Sequence, residues 1–177
     1  MGAAGYSALL RDGITKPLIG AAVGTAVGGG FELLLACDVV VSSSAARFGL
    51  TEVRRGLMPG GNGILLGRRL PLPIALELAL TGELLGPEDA LRLGLVNRLV
   101  PADAVVREAV ALAQAIARNA PLAVNAIKRV VRAAADAPLV EVWALQAQLR
   151  PAVFQSQDAR EGAAAFVERR DPIWRGC

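Results

Sequence analysis

The sequence predicts an α/β protein in which short strand–helix units are followed by a helical C-terminal region. Two observations predict it. Apolar and β-branched runs broken by glycine clusters occupy the first part of the chain. After the second glycine-rich loop helix-like segments dominate, several with Pro near their starts. That order, βα units first and consecutive helices after, is the pattern of an α/β core with a helical appendage.

Lys16-Pro17 opens an apolar stretch, and Leu18 to Val23 reads as a buried strand. Gly28-Gly29-Gly30 turns the chain into a helix over 31–37, ended by Asp38. Val39-Val40-Val41 is strand-like, and Ser42-Ser43-Ser44 reads as a turn. Pro59-Gly60-Gly61-Asn62-Gly63 is a second glycine-rich loop. Residues 74–80 form a short helix stopped by Gly82. Pro87-Glu88-Asp89 starts another, with acids at the positive end of its dipole, and Gly94 closes it. Residues 95–100 read as a strand. Residues 102–118, 121–135 and 138–154 read as three long helices, and Ser156 caps a last one ending near Arg169. Residues 1–15 are left unplaced.

Apolar residues make up 54% of 177, enough for a substantial core. The net charge of +3 comes without any basic run, which gives no case for nucleic acid. Cys37 and Cys177 read as free thiols in a reducing compartment. The chain has no histidine and no Cys-x-x-Cys, so neither a zinc site nor a His-based triad is expected. No basic segment leads into an apolar one at the N-terminus, and the uncharged stretch 17–31 is short and glycine-broken. Neither a signal peptide nor a membrane span is expected, and the cytoplasm is the expected location.

The chemistry-bearing feature is Gly28-Gly29-Gly30-Phe31-Glu32. A glycine turn feeding a helix presents backbone N–H groups at the positive end of the dipole, a device that suits an anion or a developing oxyanion. Glu32 falls three residues after Gly29, on roughly the same face of the first turn. A dinucleotide fingerprint is discounted, because Leu33 stands where its third glycine belongs. A purely structural reading, with glycine for close packing and Glu32 as a first-turn acid, stands beside the functional one. Glu52, just before the second glycine loop, is the other carboxylate. Two carboxylates near one carbonyl can position a water and move its proton. Alone, Glu52 reads as a solvated acid paired with Arg54 or Arg55.

Taken together, these segments resemble the crotonase (enoyl-CoA hydratase/isomerase) superfamily, in particular its bacterial and actinobacterial members. The resemblance is carried by the run from Lys16 to Leu33, then Ala36-Cys37-Asp38, Ala46-Arg47-Phe48-Gly49, Glu52-Val53 and Pro59-Gly60. It continues through Thr81-Gly82-Glu83, Gly94-Leu95-Val96-Asn97, Asn119-Ala120-Pro121, Asp158-Ala159-Arg160-Glu161-Gly162 and Ala165 to Arg170, covering nearly all of the chain from Lys16 on.

The resemblance implies a partial crotonase-like (ClpP/crotonase) ββα spiral core over 16–117 and a helical oligomerisation region over 118–177. It implies hydration of a trans-2-enoyl-CoA to a 3-hydroxyacyl-CoA, as in fatty acid β-oxidation. The alternatives are an enoyl-CoA isomerase, or a truncated, weakly active oligomerising module. Gly29 would be an oxyanion donor to the thioester carbonyl. Glu32 and Glu52 would hold a water between them, one acting as base toward it and the other supplying a proton to the α-carbon. Having both favours a hydratase. The N–H of Gly60 would help hold the water, and Phe166 and Arg170 fall where the last helix approaches CoA. The substrate is an acyl-CoA, with no further cofactor and no metal, in a homotrimer or a hexamer built as a dimer of trimers. Two departures stand out. Family members carry a longer N-terminal portion with an Ala-Gly-x-Asp-type segment, which Met1 to Thr15 does not match. Asn62-Gly63-Ile64-Leu65-Leu66 replaces a more polar Gly-Gly-Thr-Gln-Arg.

Overall fold

The β-branched run at Val39 forms the centre of a three-stranded parallel sheet. The computed structural model describes residues 14–177; the segment 1–13 lies outside the described residues. In this sheet β3 (Val39–Ser43) lies between β1 (Ile19–Ala22) and β5 (Arg98–Val100). Ile19 pairs with Val39, and Val41 with Arg98. A second parallel pair is only two residues long: β2 (Ala26–Val27) against β4 (Phe48–Gly49). Helix α1 (Gly29–Ala36) joins β2 to β3. Two 3₁₀ turns, Glu52–Arg55 and Asn62–Leu65, lead into α2 (Leu66–Arg69), α3 (Leu72–Thr81) and α4 (Pro87–Arg92).

Two expectations need correction. Ser42 and Ser43 are not a turn; they complete β3 and are fully buried. Burial is tolerated because each hydroxyl donates to a carbonyl, Ser43 Oγ to Val23 O at 2.7 Å and Ser42 Oγ to Ala22 O at 3.3 Å. The chain reverses only after them, where Ser43 Oγ accepts from the Ala45 N–H at 3.2 Å. The strand expected over 95–100 is shorter, because Leu95 and Val96 plug the core instead. Asn97 substitutes for a strand residue: its N–H donates to Val40 O at 2.8 Å and its Oδ1 accepts from Val40 N–H at 2.9 Å.

The core of this part gathers Phe31, Leu35, Val40, Phe48, Leu50 and Leu95. The rings of Phe31 and Phe48 lie 6.0 Å apart and tilted, which fastens α1 onto β4. Burial of Phe31 leaves its neighbour Glu32 on the same buried side of the helix.

By its internal contacts the chain divides into two units, and the division falls inside α5 (Val105–Ala117), between Leu112 and Ala113. The first unit holds the sheets and α1 to α4. The second holds α6 (Pro121–Ala134), α7 (Leu139–Phe154) and α8 (Gln157–Glu168), together with Thr15–Pro17. Pro121 opens α6 in its first turn, and Ser156 caps α8 by accepting the Ala159 N–H at 2.9 Å. The last residues are pinned to α8. Buried Asp158 accepts from Arg175 N–H at 2.7 Å and Gly176 N–H at 3.0 Å, and Trp174 Nε1 donates to Arg118 O at 2.7 Å. Among the described residues, no helix is long and apolar enough to cross a membrane, and no cluster of metal-ligating side chains occurs. Neither cysteine is in a disulfide; Cys37 is buried and Cys177 exposed.

Phe31→Ala removes a fully buried ring at the junction of α1 and β4. The expected cost is about 3–5 kcal/mol of stability, read as a lowered midpoint in urea denaturation.

Candidate active site

The two-residue pairing of β2 with β4 brings the ends of two loops together. Just beyond it, Gly28 N–H donates to Gly49 O at 3.2 Å. Gly28 then adopts φ 52° and ψ −130°, a conformation that suits glycine, and the chain enters α1 at Gly29. Glu32 N–H closes the first helical turn on Gly28 O at 2.9 Å. Gly29 therefore stands, exposed, at the positive end of the α1 dipole.

Glu52 comes from the other partner strand. Leu50 and Thr51 follow β4, and Glu52 opens the 3₁₀ turn. Its carboxylate lies over the Gly28 turn: a Cβ added at Gly28 would stand 3.3 Å from Glu52 Oε1. Glu52 Oε2 is buried and has no hydrogen-bond partner among the described residues. The expected pairing of Glu52 with Arg54 is not what forms. Arg54 reaches instead to Glu83, Nη2 to Oε1 at 2.5 Å, and its Nε donates to Thr81 O. Glu52 is therefore half-buried and turned toward the glycine turn.

Glu32 is 5% exposed. Its Oε1 accepts two backbone N–H groups from the second glycine loop, Gly61 at 2.9 Å and Gly63 at 3.0 Å. Such a pair of donors replaces the hydration that burial removes. The loop must come very close to do this. A Cβ on Gly61 would meet Glu32 Oε2 at 2.9 Å, and one on Gly63 would collide with Pro59. These two glycines are the Glu32 contacts that the sequence reading missed. It singled out the loop but named Gly60, which is exposed. The signal was present in the alternation Gly61-Asn62-Gly63, with buried Asn62 between two small residues.

Gly29, Glu32, Glu52 and the Gly60 loop thus meet in the first unit. Phe166 and Arg170 belong to the second. Phe166 is 86% exposed on α8. Arg170, just past the end of α8, holds Glu161 by both terminal guanidinium nitrogens, Nη1 to Oε1 at 2.5 Å and Nη2 to Oε2 at 3.0 Å. Its Nε holds Glu168 Oε2 at 2.5 Å. The Arg170 guanidinium, joined by the Ile173 N–H, lowers the Glu161 carboxyl to about 2, and the two carboxylates raise Arg170 above its usual range.

A protein-family model described as Enoyl-CoA hydratase/isomerase matches residues 5–177, beginning inside the segment left unplaced. Carnitinyl-CoA dehydratase of Citrobacter koseri is 42% identical over 168 residues, which is 92% of this chain and 64% of that protein. The crystal structure of enoyl-CoA hydratase from Mycobacterium tuberculosis H37Rv is 47% identical, with a TM-score of 0.88 over 92% of this chain and 65% of that one. Enoyl-CoA hydratase EchA1 from Mycobacterium marinum is 46% identical, with a TM-score of 0.88 over 92% of this chain and 67% of that one. The fold is the crotonase fold, and the chain spans a little under two-thirds of the length of the curated relative.

Gly63→Ala drives a methyl into Pro59 and opens the cradle of Glu32. A fall of about 10²-fold in catalytic turnover is expected, measured by steady-state kinetics alongside thermal melting. For Glu161 the folded carboxyl sits below its ordinary value. Its ion-pair contribution is complete above pH about 4.5 and is lost as pH falls toward 2. A carboxyl-carbon NMR titration is expected to place the Glu161 midpoint near 2.

Proposed function

The chain belongs to the enoyl-CoA hydratase/isomerase family, and we propose that its site adds water across the 2,3 double bond of a trans-2-enoyl-CoA, or removes it in reverse. One observation carries the reading. Glu32 from the first turn of α1 and Glu52 from the 3₁₀ turn after β4 both lie at the Gly28 turn, and each keeps an oxygen for chemistry. Glu32 has Oε1 held by two N–H groups, which leaves Oε2. Glu52 has Oε1 against Gly28 and a buried Oε2 with no partner among the described residues.

In this proposal the thioester carbonyl lies at Gly29, at the helix end that favours the negative charge building on its oxygen. A water sits between the carboxyl groups. One carboxylate takes its proton as the water oxygen bonds to C3. The π electrons move toward the carbonyl, and the other carboxyl group, entering protonated, delivers its proton to C2. The product is a 3-hydroxyacyl-CoA, and the two carboxyl groups have exchanged protonation states, which solvent resets. The N–H of Gly60 is a further holder of the water in this reading. The names of the relatives, hydratase and dehydratase, support water as the reactant moved in either direction.

The second unit is read as serving CoA held by a neighbouring copy of the chain. Phe166 offers an exposed ring for the CoA moiety. Arg170 meets a CoA phosphate only by exchanging Glu161 or Glu168, because both already hold its guanidinium. Between α6 and α7 lies an apolar groove of about 530 Å³ lined by Ile127, Trp143 and Phe154 among others. These three are 60–68% exposed, which supports assembly of copies into a trimer or a dimer of trimers.

With purified chain, the ultraviolet absorbance of a conjugated enoyl thioester is expected to fall as the double bond is consumed. Glu32→Gln and Glu52→Gln each lower kcat by about 10²–10⁴-fold, with the fold intact by circular dichroism. A folded wild type as inert as both variants overturns the reading.

A further inference from the structure

We infer that Arg54 is a positioning residue for Glu52: it holds the 3₁₀ turn that carries this acid against the end of α3, so that the carboxylate stays over the Gly28 turn. The inference rests on the hydration reading above, in which Glu52 is one of the two acting acids.

The two acids are held in different ways. Glu32 is gripped at its carboxylate by two main-chain N–H groups. Glu52 Oε2 is buried and has no hydrogen-bond partner among the described residues. Its Oε1 faces the Gly28 turn, where an added Cβ would stand 3.3 Å away. The place of the Glu52 carboxylate is therefore set by the backbone beneath it. That backbone is one 3₁₀ turn, Glu52–Arg55, closed by Gly56 at φ 70°. So short a turn has few bonds of its own and keeps its position through what it packs on.

The chain on both sides of Glu52 is tied to one segment, Thr81 to Leu85. Ahead of it, Phe48 and Leu85 exchange backbone bonds at 3.1 and 2.8 Å. Gly49 comes so close that an added Cβ would stand 2.9 Å from Glu83 O. Behind Glu52, Arg54 makes three contacts with the same segment. Its Nη2 donates to Glu83 Oε1 at 2.5 Å, and its Nε donates to Thr81 O at 3.1 Å. Its stem covers Gly82, where an added Cβ would stand 3.0 Å from Arg54 Cγ. Glu83 is itself fixed to the last turn of α3. Its N–H donates to Thr81 Oγ1 at 3.1 Å, and that hydroxyl donates to Glu77 O at 2.7 Å. The ion pair is exposed, 51% at Arg54 and 70% at Glu83, and such a pair adds little to stability. Its effect is geometric. A planar guanidinium that takes two acceptors at once fixes an orientation as well as a distance. Without it, Glu52 is anchored to this segment from one side only.

The test combines steady-state hydration kinetics of Arg54→Met and Glu83→Gln with carboxyl-carbon NMR of Glu52, whose resonance is assigned by its loss in Glu52→Gln. In Arg54→Met, kcat is expected to fall by about 10²-fold and KM to stay within about twofold, because the displaced group acts in the chemical step and not in binding. Glu83→Gln keeps the side-chain shape at an exposed site, and a smaller fall in kcat is expected; it carries the test if Arg54→Met melts early. Added to Glu52→Gln, Arg54→Met is expected to cost no further turnover. The Glu52 resonance is expected to shift or broaden in both single variants while that of Glu32 stays. Unchanged kcat in both variants, a loss repeated in full on the Glu52→Gln background, or an unmoved Glu52 resonance overturns the inference. The spectrum separates the two readings. A moved Glu52 resonance in a chain that hydrates nothing overturns the hydration reading alone, and hydration at unchanged kcat in both variants overturns the role of Arg54 alone. No hydration together with an unmoved resonance overturns both.

Discussion

The contact on which the site depends is the double hydrogen bond from Gly61 and Gly63 to the buried carboxylate of Glu32. A carboxylate with 5% of its surface exposed needs donors. No side chain of α1 supplies them; they come from backbone about thirty residues further along. Meeting that need pulls the second glycine loop down onto the first helical turn. The same approach forces Pro59 against Gly63 and holds the segment that follows Glu52 in place. Packing of Phe31 on Phe48 sets the helix, and the polar contact then sets the loop on the helix.

The site is assembled by the shortest of the described strands. Only two residues pair in β2 and β4, yet their register places Gly28 beside Gly49 and hence beneath Glu52. Phe48 is in turn bonded in both directions to Leu85, with N to O distances of 3.1 and 2.8 Å, so the short strand is anchored from its far side. A brief parallel pair would be weak alone. Here it is held by an aromatic contact on one side and a bridge on the other.

Helix ends were legible in the sequence because each has a local chemical cause. Pro87 and Pro121 start helices, Gly82 stops one with φ 68°, and Ser156 caps one. The crotonase fold was legible from the ordered glycines and acids between Lys16 and Gly60. Strands of two residues carry no periodicity, so β2 and β4 had no signal to read. Ser42 and Ser43 misled because their burial depends on carbonyls twenty residues upstream. Glu32 and Glu52 could be named as acids, but their states of contact could not. Which N–H groups reach Glu32, and that Arg54 chooses Glu83, are facts of tertiary approach that no local pattern encodes. Arg170 is expected from the resemblance to face CoA, while in the structure it is held by two carboxylates.

The cradle of Glu32 is made of main chain, and that has a consequence for divergence. Backbone N–H groups do not change when side chains do. Provided Gly61 and Gly63 stay small, the residues around them can be replaced without removing a donor from the carboxylate. Exposed Ile64 can therefore drift in polarity while the acid beside it keeps its partners. The partners of the acid are main-chain amides, so exposed side chains beside them are open to change without disturbing those contacts.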